Sequence, residues 1–400
     1  MHIGYTAEED AFRAGVRAFL EESLPKDLSA KVKAGQKLGE DDFRGWQKIL
    51  GKKGWLVPRW PVEHGGCGWT PAQVSIFDEE ACFAGAPRVL PFGVHMIGPV
   101  LIEYGNEDQK ARHLPGIVSG EVAWCQGFSE PGAGSDLASL KTAAVRDGDD
   151  YVVNGQKIWT SYAHFSDWMF CLVRTDPKAK KRQQGISFLL IDMKTPGITV
   201  RPIITTDGMH SVNEVFLEEV RVPAGNLVGE ENQGWTYAKF LLGHERTGIA
   251  RIGDSKAEFG RLLDIARKER KNGKPLIEDP LFSAKLARME IELRALELTN
   301  LRMLSGGGDG SGLNGAFPSL LKVKGTEVQQ RIAELQMEAV GAYALPWQQA
   351  AMDPAWNGET VGPDHAIPRV PNYLDRRKAT IFGGSTEIQK TIISKTVMDQ

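Results

Sequence analysis

The first third of the chain repeats apolar residues at steps of three and four, which is the period of an amphipathic helix. One such stripe consists of Phe12, Val16, Phe19 and Leu20. Thr6 precedes this stripe and Glu9 follows Thr6 by three residues, which is the spacing of a capping box at the start of a helix. Pro25 then ends this helical region. The pattern predicts a helical N-terminal domain over residues 1–123.

Beyond residue 123 the helical period disappears, and short β-rich runs separated by turn residues replace it. This arrangement is typical of a small all-β barrel or sandwich, so we predict a β-domain over residues 124–233. The pair Asn154-Gly155 is a strong hairpin signal and predicts a tight turn between the first two strands. The predicted strands cover residues 151–153, 158–161, 168–174, 186–191, 198–202 and 214–222.

The helical period returns after Gly234 and predicts a helical C-terminal domain over residues 234–400. Residues 240–251 are predicted to begin one long helix, and Leu286, Met289, Leu293 and Leu296 form one face of another. A glycine-rich stretch at residues 305–312 follows no strand and precedes no Gly-Lys-Ser/Thr. It therefore predicts a flexible connection and not a phosphate-binding loop. Residues 344–372, rich in Pro, Trp and Gly, are longer than a typical bundle loop.

Composition limits the classes of partner. The chain has 400 residues, enough for two or three domains, and its net charge of −3 gives no electrostatic case for nucleic acid or an anionic membrane. No apolar run reaches the roughly 18 to 20 residues that span a bilayer, and the acidic N-terminus is unlike a signal peptide. Because the cysteines are scattered and include no CxxC pair, we expect a reducing cytoplasmic environment and no metal site. They are Cys67, Cys82, Cys125 and Cys171.

The candidate chemistry lies at the start of the β-domain. Residues 124–136 are an apolar run that stops at a Ser-Glu-Pro turn and continues with two glycines and a Ser-Asp pair. Glycines let the backbone approach a ligand closely, and small hydroxyl residues offer donors without bulk. Trp159, Thr160 and Ser161 place an indole and two hydroxyls at a strand end, which suits a flat, heteroatom-edged ring. An ordinary β-rich core with a polar loop is the alternative interpretation.

The sequence Phe-Ser-Glu-Pro-Gly-Ala-Gly-Ser-Asp at residues 128–136, with Asn-Gly-Gln-Lys-Ile-Trp-Thr-Ser at 154–161, resembles the flavin-binding signature of the acyl-CoA dehydrogenase family. The similarity covers nearly the whole chain, and within the family the sequence resembles the large subunit of pimeloyl-CoA dehydrogenase and related bacterial enzymes. The resemblance implies an α+β multidomain fold with an N-terminal helical domain, a central β-barrel or sandwich and a C-terminal helical bundle. It also implies FAD held between the β-domain and the C-terminal helices.

The reaction implied by the resemblance is FAD-dependent α,β-dehydrogenation of an acyl-CoA thioester to the trans-2-enoyl-CoA, as in fatty acid β-oxidation. A base removes the α-proton while the β-hydrogen leaves as hydride to flavin N5, and an electron-transfer flavoprotein accepts the electrons. Two family motifs that contact FAD from a neighbouring subunit are degraded, at residues 267–274 and 340–344. Both a homotetramer and a heteromer with a related small subunit therefore remain open.

The catalytic base departs from the commonest family pattern. The usual carboxylate precedes a Gly-Thr/Ser near the C-terminus, and the matching position here is Gly383, which cannot take a proton. Some members carry the base one residue before an arginine on the first long helix of the C-terminal domain, and Glu245 before Arg246 matches that place. Gly383 retains the backbone N–H that donates to the thioester oxygen in the family. The missing side chain also leaves room for a bulky or branched acyl group.

The resemblance assigns further site residues. We expect Ser385 and Glu387 near the flavin diphosphate and adenosine half, although the family usually has Gln at the second position. We expect Ser135, Arg246 and Gly384 to contact the acyl-CoA. The remaining cofactor-binding residues are Gln126, Phe128, Ser129, Trp159, Thr160, Ser161 and Gly341.

Two alternative functions remain. One is an acyl-CoA oxidase or flavin monooxygenase of the same fold, which rapid reoxidation in air would favour. The other is a non-catalytic subunit of a heteromeric acyl-CoA dehydrogenase, which would complete the flavin site of its partner. Glu245 discriminates between the roles, because a purely supporting chain needs no carboxylate there.

Overall fold

The chain folds as helices, then a β-sheet, then helices, in a computed structural model that describes residues 5–304 and 316–398, without the side chains of residues 244–249 and 304. This order confirms the predicted fold class. The glycine-rich connection at residues 305–312 lies outside the described residues. No helix in the described ranges is long and apolar enough to cross a membrane.

The N-terminal helices begin as the capping signal predicts. The Thr6 hydroxyl accepts from the Glu9 N–H at 3.2 Å, and the Glu9 carboxylate accepts from the Thr6 N–H at 2.8 Å, so the capping box is confirmed. Val16, Phe19 and Leu20 are buried, as their spacing indicates. The helices are α1 (Ala7–Ser23), α2 (Lys26–Ala34), α3 (Glu40–Lys53), α4 (Pro71–Ala84), α5 (Gly98–Tyr104) and α6 (Glu107–Val118).

A mixed seven-stranded sheet follows in the spatial order β1-β4-β2-β3-β7-β6, with β5 paired to β4. The β1–β4 pair is parallel, whereas β2–β3, β3–β7, β4–β5 and β6–β7 are antiparallel. Inward side chains alternate with outward ones, as on Tyr151 and Val153, and fill one apolar core. The strands are β1 (Trp124–Gly127), β2 (Ala143–Asp147), β3 (Asp150–Ser161), β4 (Trp168–Arg174), β5 (Ile186–Asp192), β6 (Ile198–Ile204) and β7 (His210–Pro223).

The predicted turn at Asn154-Gly155 is wrong, because β3 runs straight through this pair. The hairpin turn lies earlier, at Gly148, which has a φ of 60°. Gly155 is required for a different reason: a Cβ there would lie 2.5 Å from the Thr142 hydroxyl oxygen. The ladder between β3 and β7 shifts its register at this point. The Asn-Gly pair therefore marks a bulge and a close approach of two strands.

The C-terminal helices contain one break that the periodicity did not predict. Arg251 has a left-handed backbone, with φ 48° and ψ 50°, so the expected long helix ends at Ile249 and the next begins at Ile252. The apolar face predicted at Leu286, Met289, Leu293 and Leu296 lies on the helix Pro280–Leu304 and is buried, which confirms that prediction. The helices are α7 (Gly234–Ile249), α8 (Ile252–Lys268), α9 (Pro280–Leu304), α10 (Phe317–Val340), α11 (Arg369–Arg377) and α12 (Thr386–Met398), with a hairpin of β8 (Arg270–Lys271) and β9 (Lys274–Pro275) after α8.

The chain forms two compact units. The helical unit comprises Met1–Asp42, Trp69–Arg88 and Arg246–Gln400, and the sheet unit comprises Phe43–Gly68 and Val89–Glu245. Helices of the N-terminal region thus belong to both units. The predicted boundaries of three domains, at residues 123 and 233, stay a prediction.

Ion pairs join four helices of the helical unit. Glu79 and Glu80 are buried on α4, and Arg13 of α1 donates to both of them. Lys256 of α8 donates to Glu79 at 2.6 Å and to Glu297 of α9 at 2.7 Å. Each buried carboxylate therefore has a cationic donor, which offsets the cost of removing its charge from water.

A buried histidine lies in an aromatic environment in the sheet unit. The ring of His113 on α6 is packed edge-on against Trp124, at 5.2 Å between centroids, and against Trp168, at 4.7 Å. Only 4% of His113 is exposed. Burial, followed by the neighbouring charge of Arg112, lowers the pKa of His113 to about 4. The imidazole is therefore neutral in the folded protein at neutral pH.

We predict that His113 makes the protein less stable in mild acid. Below about pH 6.5 the unfolded chain binds a proton at this residue whereas the folded chain does not. The free energy of unfolding therefore falls as the pH drops from about 6.5 towards 4, by at most about 3 kcal/mol from this group. Urea unfolding midpoints at about pH 7 and pH 5 measure this loss. His113→Gln should reduce it, whereas His64→Gln, on a partly exposed turn, should not. An equal loss in His113→Gln and the wild type would contradict the prediction.

Candidate functional site

The loop after β1 is held against the end of β3. Glu130 and Ala133 form a two-way backbone bridge across the Pro131-Gly132 turn. The Ile158 N–H of β3 donates to the Ser129 carbonyl at 2.9 Å. Ser129 therefore lies beside the strand that carries Trp159, as the shared signature implies.

A buried ion pair fixes this contact. The Lys157 ammonium, with none of its surface exposed, donates to the Glu130 carboxylate at 2.8 Å, to the Leu172 carbonyl at 2.8 Å and to the Phe128 carbonyl at 3.3 Å. Glu130 also accepts the backbone N–H groups of Lys141 at 2.7 Å and Thr142 at 2.9 Å. Although burial raises the pKa of Glu130, the Lys157 charge and these hydrogen bonds outweigh it and lower the pKa overall. The carboxylate is therefore ionised at neutral pH.

A bulge turns Trp159 outward. Lys157 pairs with Val215 and Thr160 pairs with Asn213, so β3 contains one residue more than β7 between these pairs. Trp159 adopts a φ of 60°, in the left-handed region that bulky residues rarely occupy. Its side chain is 57% exposed. Strain of this kind, in a large exposed aromatic residue, is typical of a functional position.

These residues fit a flavin. The exposed indole of Trp159 offers a flat face to an isoalloxazine ring, while Ser129 and Ser161 are half-buried hydroxyls near the same strand end. The Thr160 hydroxyl oxygen is buried and has no hydrogen-bond partner among the described residues. Buried hydroxyls are normally satisfied, so this oxygen is an exception, but only 1% of Thr160 is exposed and a ligand at the surface does not reach it in this conformation.

Other predicted residues of the sheet unit differ in accessibility. The Phe128 ring is buried edge-on against Phe170 and Phe188, and its carbonyl accepts from Lys157, so little of this residue is accessible to a ligand. Gln126 is half-buried on β1, opposite Phe170. Ser135 is exposed in the loop after Ala133.

The helical unit carries the C-terminal residues of the predicted site. Gly383 and Gly384 both have left-handed backbones, with φ of 64° and 83°. The fully buried Gln389 donates its amide to the Gly383 carbonyl at 2.9 Å. A Cβ at Gly384 would lie 2.5 Å from the same amide nitrogen. The conformation of this pair therefore favours glycine at both positions.

Ser385 and Glu387 lie at the start of α12. The Ser385 hydroxyl accepts from the Ile388 N–H at 3.4 Å. Glu387 is exposed, and its own backbone N–H and the Ser385 hydroxyl lower the pKa of its carboxyl group. Gly341 ends α10 with φ 56° and ψ −124°, a conformation available to glycine. Helix starts favour anions, so the Glu387 carboxylate suits the first turn of α12.

The predicted base lies on α7, which includes Glu245 and Arg246, but the side chains of both residues lie outside the described residues. The sheet unit contains the predicted residues from Gln126 to Ser161 and ends at Glu245. The helical unit contains Arg246, Gly341 and the predicted residues from Gly383 to Glu387. Within residues 5–304 and 316–398, no cluster of three or more His, Cys, Asp or Glu side chains is arranged to hold a metal ion.

Sequence reasoning missed the Lys157–Glu130 pair. A signal was available, because the period of two along β3 places Lys157 on the same face as the buried Tyr151 and Val153. An inward-facing lysine requires a buried partner. The sequence does not indicate which carboxylate provides it.

Three family models match successive parts of the chain. They are "Acyl-CoA dehydrogenase, N-terminal domain" over residues 6–121, "Acyl-CoA dehydrogenase, middle domain" over residues 125–220 and "Acyl-CoA dehydrogenase, C-terminal domain" over residues 232–398. Together they cover nearly the whole sequence, in the order expected from the fold.

Individual proteins are similar over their full length. "Acyl-CoA dehydrogenase IpdE1" of Mycobacterium tuberculosis is 36% identical over 398 residues, which cover 97% of each chain. Among solved structures, the "Tcur3481-Tcur3483 steroid ACAD" has a TM-score of 0.85 at 32% identity, covering 100% of this chain and 99% of that one. The ChsE4-ChsE5 complex from Mycobacterium tuberculosis has a TM-score of 0.83 at 32% identity, with the same coverage.

We predict that Lys157→Met strongly destabilises the sheet unit, because it leaves the Glu130 carboxylate buried without its cation. Removing one partner of a buried pair costs about 3 to 5 kcal/mol. Adding Glu130→Gln to this variant should restore part of the loss, since the buried charge is then gone. Chemical unfolding of the two single variants and the double variant measures the coupling.

A matched control is available on the same sheet. Arg221 of β7 donates to Asp147 of β2 at 2.7 Å, but both side chains are largely exposed. Arg221→Met should therefore change stability little. Equal effects of Lys157→Met and Arg221→Met would contradict the structural role given to the buried pair.

Proposed function

The chain belongs to the acyl-CoA dehydrogenase family, and we propose that it oxidises a bulky acyl-CoA thioester to the trans-2-enoyl-CoA with Glu245 as the base. The single observation that carries the proposal is the outward-turned Trp159 indole beside the half-buried Ser161 hydroxyl. This pair occurs at the position of the family's flavin signature.

The coarser conclusions follow from family membership. Acyl-CoA dehydrogenases are FAD-dependent flavoproteins and oxidoreductases, so the predicted family, enzyme class and cofactor are confirmed. Dehydrogenation of an acyl-CoA is the general activity of the family. The base, the acyl group, the acceptor and the assembly are proposals.

The residues that would hold the cofactor are the exposed Trp159 face, the Ser161 hydroxyl, Thr160 between them, and the backbone around Ser129. Bound FAD supplies an acceptor for the two electrons and the β-hydrogen, which no side chain can provide. The protein residues orient this acceptor, and the buried Lys157–Glu130 pair keeps the two contacting segments in register. Gln126, Phe128, Gly341, Ser385 and Glu387 complete the proposed set.

Glu245 is proposed to take the α-proton. The support is chemical: the reaction needs a carboxylate near the α-carbon, and Gly383 has none. Glu245 directly precedes Arg246, and some members of the family carry their base on this helix, one residue before an arginine. We assign Arg246, Ser135 and Gly384 to the binding of the acyl-CoA.

Gly383 is proposed to act through its backbone. The Gln389 amide binds the Gly383 carbonyl at 2.9 Å and so holds the peptide group that follows the proposed N–H donor. A fixed backbone N–H stabilises the negative charge that develops on a thioester oxygen when the α-proton leaves, by several kcal/mol in comparable sites. The glycine thus retains a catalytic contribution without a side chain.

A bulky substrate is proposed for two reasons. Glycine at position 383 removes the side chain that would occupy space beside the α-carbon. In addition, a solved structure 32% identical to this chain is described as a steroid enzyme. We therefore favour a branched or polycyclic CoA thioester over a straight-chain one.

The electron acceptor, the cellular compartment and the assembly of the enzyme are also proposed. An electron-transfer flavoprotein accepts the electrons, and the reaction takes place in the cytoplasm, in keeping with the scattered cysteines. A heteromer with a related small subunit is favoured over a homotetramer, because the family motifs at residues 267–274 and 340–344 are degraded and because ChsE4-ChsE5 is a complex.

We predict that Glu245→Gln abolishes rapid reduction of the flavin by substrate. The amide has nearly the same shape as the carboxylate but cannot accept the α-proton, so reduction should slow by about 100- to 10,000-fold. Anaerobic bleaching of the flavin absorbance after mixing with acyl-CoA measures this rate. The FAD content should remain that of the wild type.

Glu218→Gln is the control, because Glu218 is an exposed carboxylate on β7. It should bleach at the wild-type rate. Bleaching that survives Glu245→Gln would refute the assignment of the base. Fast reoxidation of the reduced wild type in air would instead favour an oxidase. A chain that takes up no FAD alone, but does so with a related subunit, would favour the heteromer.

We also predict a preference for bulky acyl groups. A panel of straight-chain, branched and steroid-derived CoA thioesters should show bleaching at least about tenfold faster, per unit of concentration, with the bulky members. The reason is the space left by Gly383. Equal rates across the panel would contradict the proposed substrate class while leaving Glu245 untouched.

A further inference from the structure

A side chain closes the gap that the bulge opens in the sheet. At the register pair of Thr160 and Asn213, the Asn213 side-chain amide donates to the Thr160 carbonyl at 2.9 Å. Asn213 is fully buried. The extra residue of β3 disturbs the regular ladder here, so a side-chain donor satisfies a main-chain acceptor.

Two histidines fix the orientation of the Asn213 amide. The Asn213 side-chain oxygen lies 2.7 Å from His210 Nε2, and its nitrogen lies 3.2 Å from His164 Nδ1. The two imidazole rings stack, with 4.0 Å between centroids and 29° between planes. With this amide orientation, His210 donates from Nε2 and His164 accepts at Nδ1. The amide is therefore held on both sides and cannot flip without losing contacts.

The same strand holds the far side of the turn. Tyr162 has a left-handed φ of 57°, and its N–H donates to the Ser211 carbonyl at 2.9 Å. The Tyr162 ring packs 5.4 Å from Phe43. The segment from Trp159 to Tyr162 thus begins and ends with a strained residue, and β7 holds it through Asn213 and Ser211. Strained conformations of this kind persist only when surrounding contacts impose them.

We propose that Asn213 is the positioning residue of the flavin site: it holds the Trp159–Thr160 bulge in its strained, outward conformation, and His164 and His210 orient its amide. The inference rests on the proposed function, in which the Trp159–Thr160 segment contacts the flavin. Asn213 is fully buried and does not itself contact the cofactor. It acts through the Thr160 carbonyl.

Asn213→Asp tests this role, since aspartate keeps the shape and the oxygen that faces His210 but has no amide hydrogen for Thr160. FAD is removed from the holoprotein and then added back. We expect it to bind at least about tenfold more weakly to the variant than to the wild type. The visible circular dichroism of the bound flavin should change, because the indole face moves. Hydrogen exchange of peptides covering residues 157–166 should be faster, measured without cofactor.

His210→Phe is the second variant, for the case that a buried aspartate prevents folding. Phenylalanine keeps a ring against His164 but removes the hydrogen bond to Asn213. Like Asn213→Asp, this variant should weaken FAD binding and speed hydrogen exchange at residues 157–166, but by a smaller factor.

The control is Asn226→Asp. Asn226 is also buried in the sheet unit, and its amide donates to the Leu190 carbonyl at 3.0 Å, away from the bulge. It should leave FAD affinity, the flavin spectrum and exchange at residues 157–166 unchanged.

The outcomes separate this inference from the proposed function. Wild-type exchange, affinity and spectrum in both Asn213→Asp and His210→Phe would overturn the role of Asn213. The same would follow if Asn226→Asp weakened FAD binding equally. A wild-type protein that binds no FAD in any assembly would refute the cofactor site, whereas the exchange measurement would still decide whether Asn213 holds the bulge.

Discussion

The buried Lys157–Glu130 pair is the interaction on which the candidate site depends. Removing an ammonium and a carboxylate from water costs several kcal/mol for each ion, and only complete pairing offsets this cost. Here the lysine has three acceptors and the glutamate has two backbone donors besides the lysine. Because these partners come from the loop after β1, from β3 and from β4, the pair fixes three segments at once.

That rigidity makes the strained bulge possible. The bulge begins directly after Lys157, whose position is determined by the ion pair, and ends at Thr160, whose carbonyl is bound by Asn213. A large residue in the left-handed region, such as Trp159, would otherwise relax into the regular ladder and turn its indole to the other face of the sheet. Buried polar contacts on both sides of the bulge therefore determine which way an exposed aromatic residue points.

The comparison with sequence reasoning shows where local patterns suffice. Periodicity predicts the burial of Leu286 and Leu293 correctly, because a helix face depends only on neighbours three and four residues away. The Asn154-Gly155 pair gave a wrong turn prediction because the glycine is required by the close approach of Thr142, a contact that the local sequence does not show. Asn213 lies two and four residues before the buried Val215 and Leu217, on the same face of β7, so its inward position could be predicted from the sequence. Its partners were not, since Thr160 lies 53 positions away.

The Gly383-Gly384 pair has a backbone that disfavours any side chain at position 383. A glutamate at position 383 would have to adopt φ of 64°, which costs an L-residue roughly 1 to 2 kcal/mol. The Gln389 amide holds the carbonyl of this residue and lies 2.5 Å from where a Cβ of residue 384 would be, so the backbone cannot rotate freely to relieve the strain. The local backbone therefore favours glycine here, and this is why the proposed base is assigned to another element, α7.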